Sequence, residues 1–138
     1  MKRITITSVA TLITLAISSI GAQAQPVGFA SDGKTNPCVD KARTSDNPTA
    51  SILAVGRAKN IARQAAELAN GGLGNYHAED AMHGPIGGVP CVVNDNGTMT
   101  FTFKGGKPGF TTPTIQTTVT VDPTNWNVKV DSNGPIGS

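Results

Sequence analysis

The sequence is poor in the side chains on which most enzymes and nucleic-acid-binding proteins depend. Aromatic residues make up 4% and charged residues 14% of its 138 positions, and it has nine acidic residues and two histidines. It contains neither a GxSxG nucleophile elbow nor an HExxH zinc motif. Because candidate acids, bases and nucleophiles are few and not in a catalytic spacing, we predict that the protein is not an enzyme and has no cofactor.

The sequence also lacks an apolar run of the ~20 residues that a membrane-spanning helix needs. Its longest such run, residues 9–20, follows Lys2 and Arg3 and precedes Ala-Gln-Ala at 22–24, the small-x-small pattern of a cleaved leader. An uncleaved anchor is the alternative. We predict that residues 1–24 are a signal peptide. The mature chain would then be exported to the periplasm or the extracellular space, without a membrane span.

A strong charge of either sign is absent from the predicted mature chain. Lys and Arg together number 11 against 9 for Asp and Glu, and the two extra basic residues lie in the predicted signal peptide. A neutral chain has no overall field that would attract nucleic acid. We therefore expect an envelope protein or further copies of the chain as partners, and no nucleic acid.

Cysteine occurs only twice, at positions 38 and 91. In an exported protein, an even pair predicts a disulfide. The chain-entropy model gives about 4 kcal/mol of stabilisation for closing this loop. Intermolecular pairing and two free thiols are the alternatives. Around Cys38 the chain shows no sustained period, and we predict that 25–47 is an irregular N-terminal arm held by the disulfide.

The strongest periodic segment is 48–72, which predicts a long amphipathic helix. Asn47 or Thr49 can cap its start, and the glycines at 71 and 72 end it. Its apolar side is mostly alanine, and polar residues lie opposite. Lys59 and Arg63 fall at the boundary, where long side chains can extend to water.

A period of two follows the helix and predicts β-strands. The segment 98–103 alternates strictly between threonine and an apolar residue, and 114–121 and 126–130 also alternate. Val92 and Val93 precede an Asp-Asn-Gly turn and would complete a hairpin. We predict a single α+β domain over 48–138, in which one long helix packs on a three- to four-stranded antiparallel meander in two layers.

Two histidines and two carboxylates lie close together in the segment 75–84 and could hold a metal ion. In a short helix, His83 could share a face with Glu79 or Asp80, whereas His77 would not share it. A polar surface turn is the alternative interpretation, and we favour it. The metal hypothesis assigns the ligands His77, Glu79, Asp80 and His83.

The glycine-rich segment 104–109 is the other candidate site. It lacks the hydroxyl residue that follows lysine in a phosphate-binding loop, and it lies between two strands. We therefore interpret it as a hairpin connection with an exposed tip. The residues we expect to contact a partner are Lys104, Lys107, Phe110 and Trp126.

Three segments resemble a group of small exported proteins of unknown function from photosynthetic bacteria. They are ARQAAELANGGL at 62–73, YHAEDAMHGP at 76–85 and TFTFKGGKPG at 100–109. The resemblance runs from about Ser51 to Ile136 and implies export and a common fold, with no activity, cofactor or site residue. In architecture alone, the chain is similar to the headgroups of pilin-like proteins, but those carry a long apolar N-terminal helix.

Together these features predict an exported, non-catalytic domain that acts through its surface as a binding or structural component. A periplasmic metal-binding protein is the alternative, and a small secreted enzyme is the third hypothesis.

Overall fold

The computed structural model describes residues 36–137 and confirms the predicted α+β class. It contains two helices, one antiparallel sheet and the Cys38–Cys91 disulfide. The predicted signal peptide, 1–24, and residues 25–35 of the predicted arm lie outside the described residues. Within 36–137, none of the helices is both long and apolar enough to cross a membrane.

The first helix, α1 (Pro37–Arg43), lies in the segment that we predicted to be irregular, so that prediction is wrong over these residues. The Asn36 side chain caps it by accepting hydrogen bonds from the amides of Cys38 and Val39. Pro37 fits the first turn because its missing N–H would have no partner there. With seven residues, the helix makes only about two turns, too few for an apolar period to emerge.

The second helix, α2 (Pro48–Ala69), agrees with the predicted segment and is capped by the Asn47 side chain. It packs on the last two strands of the sheet. The prediction that Lys59 extends to water is wrong, because this side chain is only 7% exposed. Its Nζ donates a hydrogen bond to the Gly84 carbonyl, at 2.7 Å, beneath a segment whose path the sequence did not predict.

The sheet has five strands, which are β1 (His77–Ala78), β2 (Cys91–Val93), β3 (Met99–Gly106), β4 (Ile115–Val121) and β5 (Val128–Pro135). They lie in the order β1-β3-β4-β5, and β2 also pairs with β3. All pairs are antiparallel. The four predicted strands are present, and a fifth, β1, consists of only two residues that pair with the end of β3.

The central strands alternate as predicted between a buried and a wet face. The inner face is apolar apart from one threonine, and α2 faces it with alanines and Val55. On the outer face, the hydroxyls of Thr100 and Thr120 lie 2.8 Å apart across β3 and β4. The buried inner-face residues of the two strands are Met99, Phe101, Phe103, Thr117, Val119 and Val121.

The start of β5 differs from the prediction. Trp126 belongs to the turn before the strand, has a positive φ of 65°, and is half-buried under the Arg57 guanidinium, 4.0 Å from its ring centroid. Val128 and Val130, predicted to share a buried face with it, are 45% and 36% exposed. They lie on the edge strand of the sheet, which has a neighbouring strand on one side only.

Two adjacent glycines at the end of β3 make room for aromatic rings on both faces. A Cβ on Gly105 would lie 2.6 Å from the His77 carbonyl oxygen and would collide with the fully buried Tyr76 side chain. A Cβ on Gly106, on the opposite face, would lie 3.2 Å from Cγ of Phe110. The glycines that we assigned to a loop are therefore strand residues, and the connection to β4 begins after them.

We predict that Gly105→Ala lowers the free energy of unfolding by about 3 kcal/mol, because the added methyl group overpacks the site beside Tyr76. Gly88→Ala is the matched control, since a Cβ there meets no atom within 4 Å. It should change stability by less than about 0.5 kcal/mol. Urea unfolding measures both variants, and equal stability of the two would contradict this packing.

Candidate functional site

Three adjoining hollows lie beside β3. The first is lined by residues 77–81 and by the connection from β3 to β4, and the other two are lined by Thr100, Thr102 and Lys104 of the strand itself. Their volumes are about 570, 350 and 270 Å³. The first and second share Glu79 and Ala81, and the second and third share Pro90 and Thr102. Because neighbouring hollows have lining residues in common, we describe them together as one site, which we call the β3 groove.

The floor of the β3 groove is a row of outer-face side chains. Thr100, Thr102 and Lys104 are alternate residues of the strand and line it in sequence. The next position in the row is Gly106, against which the Phe110 ring packs. At about 3.4 Å per residue, the row extends for about 20 Å and changes from hydroxyl to ammonium to aromatic.

The wall of the groove is the segment 79–90, which contains two short 3₁₀ turns but little regular structure. It is held from below by side chains. The Asn36 Nδ2 donates to the carbonyls of Ile86 and Val89, at 2.6 and 2.9 Å, and Lys59 donates to that of Gly84. The Cys38–Cys91 disulfide fixes the chain just past its end. Tertiary contacts therefore set the shape of this wall.

Glu79 lies in the gap between β1 and β2 on the edge of β3, where it bonds to Lys104. Its backbone amide donates to the Lys104 carbonyl at 2.8 Å, and its Oε1 accepts from the Lys104 amide at 2.7 Å. One carboxylate oxygen thus takes the place of a strand carbonyl. Glu79 therefore pairs with a strand, which differs from the metal-ligand role that the metal hypothesis assigned to it. Its second carboxylate oxygen is left for a ligand.

The two histidines meet although they would not share a face of a helix. His77 lies in β1, and His83 follows the 3₁₀ turn Asp80–Met82, which brings the chain back. Their rings stack with centroids 4.4 Å apart and an interplanar angle of 5°. Burial is the main cause that lowers the pKa of His83, and repulsion from His77 and Arg63 adds to it.

The four proposed metal ligands are not gathered into one centre. His77 and His83 are in contact, Glu79 is hydrogen-bonded to β3, and Asp80 is exposed. Within residues 36–137, no three histidine, cysteine or carboxylate side chains are placed to hold a metal ion.

The residues expected to contact a partner are divided between two parts of the surface. Lys104 and Phe110 line the β3 groove, and Lys107 is exposed in the connection between them. Trp126 lines none of the three hollows and instead packs against Arg57 on α2. The sequence missed Thr102 as a groove residue, although strand alternation had already placed it on the wet face.

Two buried side chains with polar ends, Lys59 and Tyr76, lie beneath the wall and the sheet. Burial lowers the pKa of Lys59, and the neighbouring Arg63 lowers it further. Burial also raises the pKa of Tyr76, whose hydroxyl points toward the sheet and has no hydrogen bond of ordinary geometry. Neither side chain lines the groove.

No protein-family model, curated protein or solved structure matches this chain. The resemblance to small exported proteins of photosynthetic bacteria therefore stays a prediction. The interpretation of the β3 groove depends on its own geometry and chemistry.

We predict that the melting temperature falls between about pH 7.5 and pH 5 and that His83→Gln makes this fall smaller. Because the folded-state pKa of His83 lies below its usual value of 6.5, the unfolded chain takes up the proton first. The free energy of unfolding therefore decreases as the pH drops through that range, until the folded imidazole is protonated too. Asp122 and Asp131 also have lowered pKa values, but they titrate at lower pH. Identical pH profiles of the two proteins would contradict this account.

Proposed function

We propose that the protein is an exported, non-catalytic domain that acts through its surface as a binding or structural component of the cell envelope or the extracellular space. The observation that supports this proposal best is the β3 groove, whose floor combines threonines, a lysine and an aromatic ring. Hydroxyl, ammonium and aromatic groups arranged in one row suit contact with an elongated partner. The carboxylate at its centre, Glu79, accepts a backbone hydrogen bond, which suits a structural role better than proton transfer.

Two further features support the proposal. The Cys38–Cys91 disulfide is of the kind that persists in oxidising compartments outside the cytosol. The contacts of α2 with β4 and β5 are compatible with the predicted two-layer arrangement, in which an amphipathic helix supports the sheet from its inner face. In this proposal the outer face is left for the partner, which is an envelope component or a second copy of the chain.

The second candidate is a periplasmic metal-binding protein that uses the segment 77–83. The observation in its favour is the contact between His77 and His83, which places two imidazoles side by side. A saturable rise in melting temperature with one equivalent of Zn²⁺, lost in the His77→Ala, His83→Ala double variant, would favour this candidate over the first.

We expect the exported protein to be retained on isolated envelope fragments in a co-sedimentation assay, or to self-associate as its concentration rises. The Lys104→Ala, Phe110→Ala double variant should reduce retention at least about fivefold, because it removes both a charged and an apolar contact of the groove. Leu53→Ala is the control, since this side chain is 69% exposed on α2 and lines none of the three hollows. A strictly monomeric protein with no retention would contradict the proposed function.

A further inference from the structure

We propose that the β3 groove binds a neutral polysaccharide chain in an extended conformation. This inference builds on the proposed function and names the chemical class of its ligand. The ligand would lie along the row from Thr100 to Phe110, over the outer face of β3.

The shape of the groove suits a linear chain. Three hollows share lining residues from one to the next, and the row of outer-face β3 positions beside them, Thr100 to Gly106, is about 20 Å long. Several sugar residues fit in that length. The wall on one side is held by Asn36 and Lys59, so a ligand meets a groove that is already shaped, which lowers the ordering cost of binding.

The edge of β3 beside the groove leaves only residues 102 and 103 between its paired segments and Lys104, too few for an added peptide strand. One side of β3 is paired along its length with β4, and the other side pairs with β2 at Met99–Phe101 and with β1 at Gly105–Gly106. Between those segments, Glu79 bonds both the amide and the carbonyl of Lys104. Extended peptides are commonly captured by strand addition, so the ligand here has to be recognised by side chains.

The side chains of the groove match a ligand that is rich in hydroxyl groups. Thr102 lines the groove and can donate or accept a hydrogen bond, and its contact with the cross-strand neighbour Thr118, at 3.2 Å, is long. Gln116 and Lys104 add donors beside them. Glu79 keeps one carboxylate oxygen as an acceptor, because only its Oε1 is bonded to the strand.

The ends of the groove carry apolar side chains, and its lining has one basic and two acidic residues. Phe110 and Pro113 line one end and Pro90 lies toward the other, which provides surfaces for the C–H faces of sugar rings. Lys104 is the basic residue of the lining, and Glu79 and Asp80 oppose it. A lining without a positive excess disfavours nucleic acid and other polyanions.

The test is titration of the ¹⁵N-labelled exported protein with two probes, the β-1,4-linked tetramers of N-acetylglucosamine and of glucose. At least one tetramer should shift the amide resonances of Thr100, Thr102, Lys104 and Phe110 saturably. Phe110→Ala should weaken the binding about tenfold. Thr102→Val keeps the shape, loses the hydroxyl, and should weaken binding about threefold. Leu53→Ala, outside the groove, should bind like the unchanged protein.

The outcomes separate this inference from the proposed function. Absence of shifts with both tetramers, or shifts confined to other parts of the surface, overturns the polysaccharide assignment, whereas retention on envelope fragments would still support the proposed function. Tetramer binding in the groove by a protein that neither self-associates nor is retained on envelope fragments would keep the assignment and contradict the proposed envelope role. Stronger shifts of the same resonances by an uncharged extended octapeptide would overturn the assignment in favour of a peptide ligand.

Discussion

The Cys38–Cys91 disulfide is the constraint on which the wall of the β3 groove, and with it the candidate site, depends. It joins α1 to β2 with a Cα–Cα distance of 5.8 Å across a sequence separation of 53 residues. Beside it, Asn36 caps α1 and holds the carbonyls of the segment that leads into Cys91. Cross-links over long loops restrict the unfolded chain most. Here the same cross-link also fixes a segment with little regular structure, and that segment forms the wall of the β3 groove.

The floor of the groove has a different physical origin. The pair Gly105–Gly106 lets Tyr76 pack under the sheet while Phe110 packs over it, so one short stretch of backbone separates two aromatic rings. The buried Tyr76 ring directly precedes β1 and the start of the wall. The Phe110 ring, on the outer face, lies at the end of the row of groove side chains. The core and the proposed binding surface therefore meet at these two neighbouring positions, with Gly105 making room for the buried ring and Gly106 for the outer one.

Much of the fold could be predicted from the sequence because its periodic segments are long. Met99, Phe101 and Phe103 alternate with threonines, and this pattern gave both the buried face and the wet face of β3. The burial of Lys59 and the bonding of Glu79 to β3 could not be predicted, because both depend on where an aperiodic segment folds back. Of the candidate site, Lys104 and Phe110 were predicted, whereas the groove itself arises from tertiary contacts.

Hydrogen exchange measured by mass spectrometry tests most directly whether the disulfide holds the wall. The native protein is compared with its Cys38→Ser, Cys91→Ser variant under conditions in which both are folded. The account predicts that residues 36–43 and 79–93 lose protection in the variant, while β3 and β4 keep theirs, because the sheet and α2 retain their own core. Equal protection of 79–93 in the two proteins, or a uniform loss over the whole chain, would contradict it.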